Sequence, residues 1–273
     1  MGKTLYLECE SGISGDMTVA ALLDLGADQQ VLKKALASLP VQGFDIRISR
    51  VKKSGLDACD FDVVLDKEHE NHDHDMEYLH GDHHHAEHHH GHEDHHHDEH
   101  HHHEHRSPED IIHIIGHASM TDSARELACK IVKILANAEA KAHGVPLEQV
   151  HFHEVGAVDS IVDIVAAAVC ADSLNFDEVY IPQLNEGRGM VRCQHGLLPI
   201  PVPAVANIIT DHHLKLHITN VDGELVTPTG AAIAAALRTS EQLPEQFVIE
   251  KVGIGAGKRE YECVGVLRAM MIA

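Results

Sequence analysis

Alternating apolar and polar positions mark the strands expected in this chain, and apolar positions three or four residues apart mark the helices. The alternation predicts strands at residues 3–9, 44–51, 57–65, 178–182, 187–193, 214–219, 247–252 and 264–272. The helical spacing predicts helices at residues 17–25, 27–39, 107–118, 123–143, from 159 onward, 204–210 and 227–237. Strands and helices that interchange in this way predict an α/β or α+β fold, a mixed sheet with packed helices.

Composition narrows the class of protein. The 273 residues suit one large domain or two small ones, and 44% hydrophobic content is ample for a core. The net charge of -22 argues against nucleic acid or an anionic membrane as a partner, because both need clustered Lys and Arg. Six scattered cysteines, no C-x-x-C pair and no signal peptide or 18-residue apolar stretch indicate a reduced, cytoplasmic protein.

One internal segment departs from the rest of the chain. Residues 69–105 hold 19 of the 28 histidines and 11 acidic residues, without a single Lys or Arg. Such a segment cannot form a core, so we expect a disordered insertion at 67–106 within a core made of 1–66 and 107–273, in one or two subdomains. Its imidazoles suit low-specificity binding of Ni²⁺, Zn²⁺ or Cu²⁺. A solvated linker that is merely rich in histidine is the alternative.

The densest chemistry lies in the motif HFHEVGAVDSIVDIV, residues 151–165. If residues 151–155 are extended, His151 and His153 share a face with Cα atoms ~7 Å apart, close enough to share a ligand or a metal ion. Glu154 then points the other way. These two histidines are therefore candidate metal ligands.

The second half of this motif predicts a nearly all-apolar, buried helix from Asp159 onward. Asp159 or Ser160 can cap it, and Ser160 with Asp163 fits a capping box. Asp159 and Asp163 are four residues apart on one face, which makes them candidate metal-site residues. Ordinary partners of the helix dipole are the plain alternative for each.

Two glycine-containing turns lead into helices and offer backbone N–H groups to an anion. The candidate binding residues are Ser11, Gly12, Ser14 and Gly15 in the first turn, with Asp16 behind them, and Thr227, Thr229 and Gly230 in the second. A simple capped turn is the alternative at both places. His195 opens a segment with three alternate prolines, which can hold it rigidly beside a cleft or leave it as a structural loop histidine.

Five motifs together carry a resemblance: SGISGDM (11–17), HFHEVGAVDSIVDIV (151–165), HGLLPIPVPA (195–204), ELVTPTGAA (224–232) and GIGAG (253–257). In this order they resemble the LarC family, which inserts nickel into a pyridinium bis-thiocarboxylate mononucleotide to form the nickel-pincer cofactor of lactate racemase. The resemblance implies a lyase-type insertase that uses Ni²⁺ as substrate metal and CTP with Mn²⁺ or Mg²⁺. It also implies a C-terminal CTP-binding domain that this chain lacks or that is separately encoded.

Two functions are therefore expected. In the first, the chain is a nickel-inserting enzyme with Glu154, Asp16 and His195 as catalytic residues, His151, His153, Asp159 and Asp163 at the metal, and the two turns on the mononucleotide. In the second, it is a non-catalytic nickel carrier that acts through its His-rich segment. The turns and the 151–165 motif favour the enzyme, because a carrier has no use for them. A homo-oligomer is left open.

Overall fold

The computed structural model describes residues 3–66, 76–80, 106–152, 157–193 and 195–273. His153, Glu154 and the predicted insertion, apart from residues 76–80 and Arg106, lie outside these ranges. The strands are β1 (Thr4–Glu8), β2 (Phe44–Lys53), β3 (Leu56–Leu65), β4 (Glu178–Tyr180), β5 (Leu184–Arg188), β6 (Met190–Cys193), β7 (Gly196–Pro199), β8 (Leu216–Asp222), β9 (Ile249–Ala256) and β10 (Val266–Ile272). The helices are α1 (Gly15–Leu25), α2 (Gln29–Ala37), α3 (Met76–His80), α4 (Pro108–His117), α5 (Asp122–His143), α6 (Val158–Leu174), α7 (Pro203–His212) and α8 (Pro228–Leu237), with a 3-10 turn at Leu147–Gln149.

A six-stranded mixed sheet, ordered β2-β3-β9-β10-β1-β4, forms the centre of the fold. The β2–β3 hairpin, β9–β10 and β10–β1 pair antiparallel, whereas β1–β4 and β3–β9 pair parallel. Helix α1 packs on β3, β9 and β10, and α6 packs between α1, α2 and α5. The predicted mixed sheet with packed helices is confirmed.

Helix α6 shows why the 151–165 motif is so apolar. Its residues Ile161, Val162, Ile164 and Val165 are fully buried, since helices surround it on several sides. The helix begins at Val158 with Ala157 as N-cap, and no side chain caps it. The predicted cap at Asp159 or Ser160 is therefore wrong, because the helix starts before both residues.

The strand predicted at 247–252 extends into the glycines at 253–257. Most of this segment lies within β9, directly beneath α1. A Cβ at Gly253 would lie 2.3 Å from the Ala21 carbonyl oxygen, and one at Gly255 would lie 2.1 Å from that of Met17. These glycines are needed because helix and strand backbones touch here.

Two small sheets lie beside the main one, a parallel pair β5–β8 and an antiparallel pair β6–β7. The single strand predicted at 187–193 is in fact two strands, divided at Gly189, whose φ of 96° turns the chain. Within the predicted insertion, α3 places Leu79 in the core with 4% exposure, so ordered structure reaches further into it than composition suggested.

All six cysteines are free thiols in the described part of the chain. No helix among the described residues is long and apolar enough to cross a membrane.

Candidate functional site

The two glycine-containing turns predicted to bind an anion lie against each other. Ile13 donates its N–H to the Leu225 carbonyl (3.0 Å), and Thr227 donates to the Ile13 carbonyl (3.1 Å), as in a short parallel bridge. A Cβ at Gly12 would lie 2.0 Å from the Leu225 oxygen, and one at Gly230 would lie 2.1 Å from the Ile13 oxygen. Glycine at both positions allows the backbones to meet, and the N-termini of α1 and α8 are thereby brought together.

A pocket opens where the turns meet. Its empty space is about 460 Å³, a volume that includes open solvent at the mouth. Three chain segments supply its lining: Ser11, Ser14, Asp16 and Met17; Glu224, Leu225 and Thr227; and Gly257, Lys258, Arg259, Tyr261 and Gly265. The candidate residues Gly12, Gly15, Thr229 and Gly230 support this lining from the same two turns.

The third segment brings two cations that the sequence reading did not single out. Lys258 pairs with Asp62 of β3, and Arg259 pairs with the buried Glu224. Both cations lie on the pocket wall in a chain of net charge -22. In the sequence, two adjacent cations, Lys258 and Arg259, follow the glycine run and could have indicated an anion-binding segment. Their proximity to the two turns, however, depends on tertiary structure.

The first turn holds a carboxylate at the pocket. Ser14 occupies the N-cap position of α1 without a capping bond from its side chain, and its hydroxyl donates instead to Asp16. Asp16 is 7% exposed and lines the pocket. Ser14 thus stands at the N-cap position that the alternative of a capped turn gave it, but its side chain makes no capping hydrogen bond.

Asp163 of α6 lies directly behind this turn. A Cβ at Gly15 would lie 2.5 Å from an Asp163 carboxylate oxygen, and the Asp16 backbone N–H donates to the Asp163 carboxylate. Burial raises the pKa of Asp163 well above its ordinary range, and the carboxylates of Asp16 and Asp159 raise it further. The structure thus brings the predicted residues Asp16, Asp159 and Asp163 together.

Glu186 of β5 binds the backbone of the second turn. This fully buried side chain uses Oε1 to accept the backbone N–H groups of Gly187 (2.8 Å), Leu225 (2.7 Å) and Val226 (3.1 Å). Its Oε2 has no hydrogen-bond partner among the described residues. Burial raises the pKa of Glu186 to about 7, although the three N–H donors favour the charged form.

The candidate histidines lie elsewhere. His151 is exposed, next to the buried Phe152, which pairs with Arg106. His195 is exposed at the β6–β7 hairpin, with its ring centroid 4.8 Å from that of His143 and its Nδ1 3.9 Å from the Cys193 sulfur. Neither lines the pocket.

Within the described ranges, no three His, Cys, Asp or Glu side chains are arranged to hold a metal ion. His153 and Glu154 lie outside those ranges. The metal set of His151, His153, Asp159 and Asp163 therefore stays a prediction, as do the catalytic roles of Glu154 and His195.

Comparison with known proteins identifies the family of this chain. The model of the family described as "Nickel insertion protein" matches residues 5–273. A protein of Alkaliphilus metalliredigens named pyridinium-3,5-bisthiocarboxylic acid mononucleotide nickel insertion protein is 54% identical, over 100% of this chain and 61% of its own length. A protein of the same name from Clostridium acetobutylicum is 45% identical, over 98% of this chain and 64% of its own.

A Geobacter protein named putative nickel insertion protein is 38% identical over 98% of this chain and 61% of its own length. The chain thus spans about three fifths of the relatives it matches. No solved structure matches it.

Proposed function

Because this chain belongs to the nickel insertion protein family, we propose that its pocket binds the pyridinium-3,5-bisthiocarboxylic acid mononucleotide named in its relatives and that nickel is inserted there. The observation that carries the proposal is the meeting of two helix N-terminal turns with Lys258 and Arg259 at one cavity. Phosphate and thiocarboxylate groups are anions, and backbone N–H groups at helix N-termini with adjacent cations are what anions bind.

The helix ends supply part of the charge complementarity. Thr227 caps α8 by accepting from the Gly230 N–H (3.1 Å), with Pro228 at the first position. At α1, Ser14 makes no such bond, and the Asp163 carboxylate accepts the backbone N–H of Asp16 there. The positive ends of both helix dipoles lie at the pocket and favour the anionic ligand.

Insertion also requires a proton acceptor. When nickel bonds to the ring carbon, the C–H bond breaks and its proton must pass to a base. Asp16 is a carboxylate on the pocket wall that accepts a hydrogen bond from the Ser14 hydroxyl, and carboxylates commonly act as proton acceptors in catalysis. Glu154 and His195 are further candidates for this role by residue type.

The proposal also assigns residues that supply the nickel ion. We assign His151 and His153 to holding Ni²⁺ before transfer, because borderline metals favour imidazole. Asp159 and Asp163 are assigned a supporting role, as acids that orient ligating imidazoles. The segment 69–105 adds binding capacity by its 19 histidines. Dependence on CTP with Mn²⁺ or Mg²⁺ and a lyase-type classification are proposed on the family resemblance, and a cytoplasmic location is proposed on the six scattered cysteines. We assign the CTP step to the part of the longer relatives that this chain does not match.

The test is nickel insertion by the complete protein, with this chain and its remaining part, saturating Ni²⁺, CTP and the mononucleotide. Mass spectrometry measures the nickel-containing product. We expect product from the wild type, and at least about a ten-fold loss with Lys258→Met, since a charged hydrogen bond contributes about 1.5–3 kcal/mol. Lys215→Met, which removes an exposed lysine paired with Glu241, is the matched control.

Deleting residues 81–105 tests whether the chain acts as an insertase or only as a nickel carrier. This deletion leaves α3 and its buried Leu79 in place. We expect this variant to bind fewer nickel equivalents and still form product at saturating Ni²⁺. Nickel binding by the wild type without any product would favour the carrier and overturn the insertase proposal.

A further inference from the structure

Tyr261 is the one aromatic side chain among the pocket's described lining residues. The segment that carries it, between β9 and β10, also carries the two pocket cations Lys258 and Arg259. The remaining lining residues present hydroxyls, charges, backbone or aliphatic carbon. Among the described lining residues, the Tyr261 ring is therefore the flat surface on which a planar ligand can stack.

The position of the ring is fixed from outside the pocket. A Cβ at Gly223 would lie 2.2 Å from a Tyr261 ring carbon. The ring therefore packs directly against the Gly223 backbone, where any residue larger than glycine would clash with it. His80 contacts it edge-on, with ring centroids 5.6 Å apart at 75°. These two contacts hold the ring in one orientation, which lowers the entropic cost of using it as a binding surface.

The hydroxyl of Tyr261 is already engaged by the protein. It lies 3.2 Å from Nε2 of His80, and it also interacts with the side chain of Arg259. What the residue offers to a ligand is therefore the ring carbon surface and not a hydrogen bond. Such a surface attracts a cation placed over its face, because the ring quadrupole is negative there.

We propose that Tyr261 is a specificity-determining residue whose ring stacks on the cationic pyridinium ring of the ligand, while Lys258 and Arg259 bind its anionic groups. This inference rests on the proposed function, because it assigns the ring of the same mononucleotide to one wall of the same pocket. It predicts that the pocket distinguishes a positively charged aromatic ring from a neutral ring of nearly the same shape.

The test compares two probes that share ribose and phosphate, namely nicotinic acid mononucleotide and its reduced dihydropyridine form, whose ring is uncharged. Isothermal titration calorimetry measures the affinity of each for the chain. We expect the wild type to bind the pyridinium form about ten-fold more tightly. Tyr261→Phe keeps the ring and should keep this preference. Tyr261→Met keeps much of the volume without the ring and should reduce the preference to about two-fold or less.

Asp16 and Glu224 also favour a cation in the pocket, but both are present in every variant, so the comparison of Phe with Met isolates the ring. An unchanged preference in Tyr261→Met overturns the assignment. Should that variant fail to fold by circular dichroism, equal wild-type affinity for the two probes still overturns it. Absence of binding to both probes overturns the proposed function as well, whereas binding without preference overturns the role of Tyr261 alone.

Discussion

The pocket and the 151–165 motif differ in how their polar residues are brought together. The pocket is assembled from residues far apart in sequence, around 11–16, 224–227 and 257–265, and its charged groups are paired or hydrogen-bonded. The motif is continuous in sequence, yet its described members diverge. His151 is exposed, whereas Asp163 lies against the first turn. Local density of chemical groups therefore does not by itself locate a binding cavity.

This contrast predicts that small changes in the pocket's backbone cost more than the loss of a whole side chain at His151. The largest effect should come from Gly230→Ala, because the added Cβ would lie 2.1 Å from the Ile13 oxygen and separate the two turns. We expect a loss of about 3 kcal/mol or more in the free energy of unfolding. Urea denaturation followed by circular dichroism measures it.

Gly116→Ala is the matched control for that variant. Gly116 lies in α4, and nothing lies within 4 Å of an added Cβ. Alanine is favoured over glycine in helices, so stability should rise by up to about 1 kcal/mol. Equal losses in the two variants would contradict the close contact between the turns.

The next effect concerns the buried acid beneath the second turn. Burial raises the pKa of Glu186 from an ordinary 4.5 to about 7. The folded state therefore binds its proton more tightly than the unfolded state, and stability from this group is present below pH 4.5 and lost as pH rises through 7. Relative to Glu186→Gln, which does not titrate, wild-type stability should fall by about 2 kcal/mol between about pH 5 and pH 8.

Equilibrium unfolding of both proteins across this pH range measures the difference. The comparison removes the contributions of other titrating groups, including Asp163, His80 and His212, which are common to both proteins. A constant difference between wild type and Glu186→Gln would mean that Glu186 is not held in the environment described here.

The smallest expected change in stability is at the 151–165 motif. His151→Ala removes an exposed side chain, so the free energy of unfolding should change by less than about 0.5 kcal/mol. Nickel insertion by the complete protein should nevertheless be lost, if His151 holds Ni²⁺ as proposed. Thermal melting measures the change in stability, and the product assay measures nickel insertion. A full yield of product would remove His151 from the metal site.

Local pattern was sufficient for most of the fold. The predictions of the first strand, of strands β2 and β3, and of helices α1, α4 and α5 are confirmed, because the period of apolar positions is a local property. Strand β9 was misjudged at its glycines, since only the approach of α1 explains them. The start of α6 was misplaced because Ala157, a residue with no capping side chain, precedes it.

The candidate site was predicted in part. Both turns were recognised from glycines and hydroxyls next to helix starts, and the structure places them at one pocket. Lys258, Arg259 and Tyr261 were missed because they become neighbours of the turns only after β9 and β10 pair beside β1. Glu186 was missed because a single acid in a strand has no local signature of burial.

The central claim is that the pocket binds the mononucleotide and the 151–165 motif does not. Calorimetric titration of the pyridinium-3,5-bisthiocarboxylic acid mononucleotide, without nickel, into wild type, Lys258→Met and His151→Ala tests it most directly. We predict at least about a ten-fold weaker affinity for Lys258→Met and a change within about two-fold for His151→Ala. Wild-type affinity in Lys258→Met together with a large loss in His151→Ala would contradict the claim.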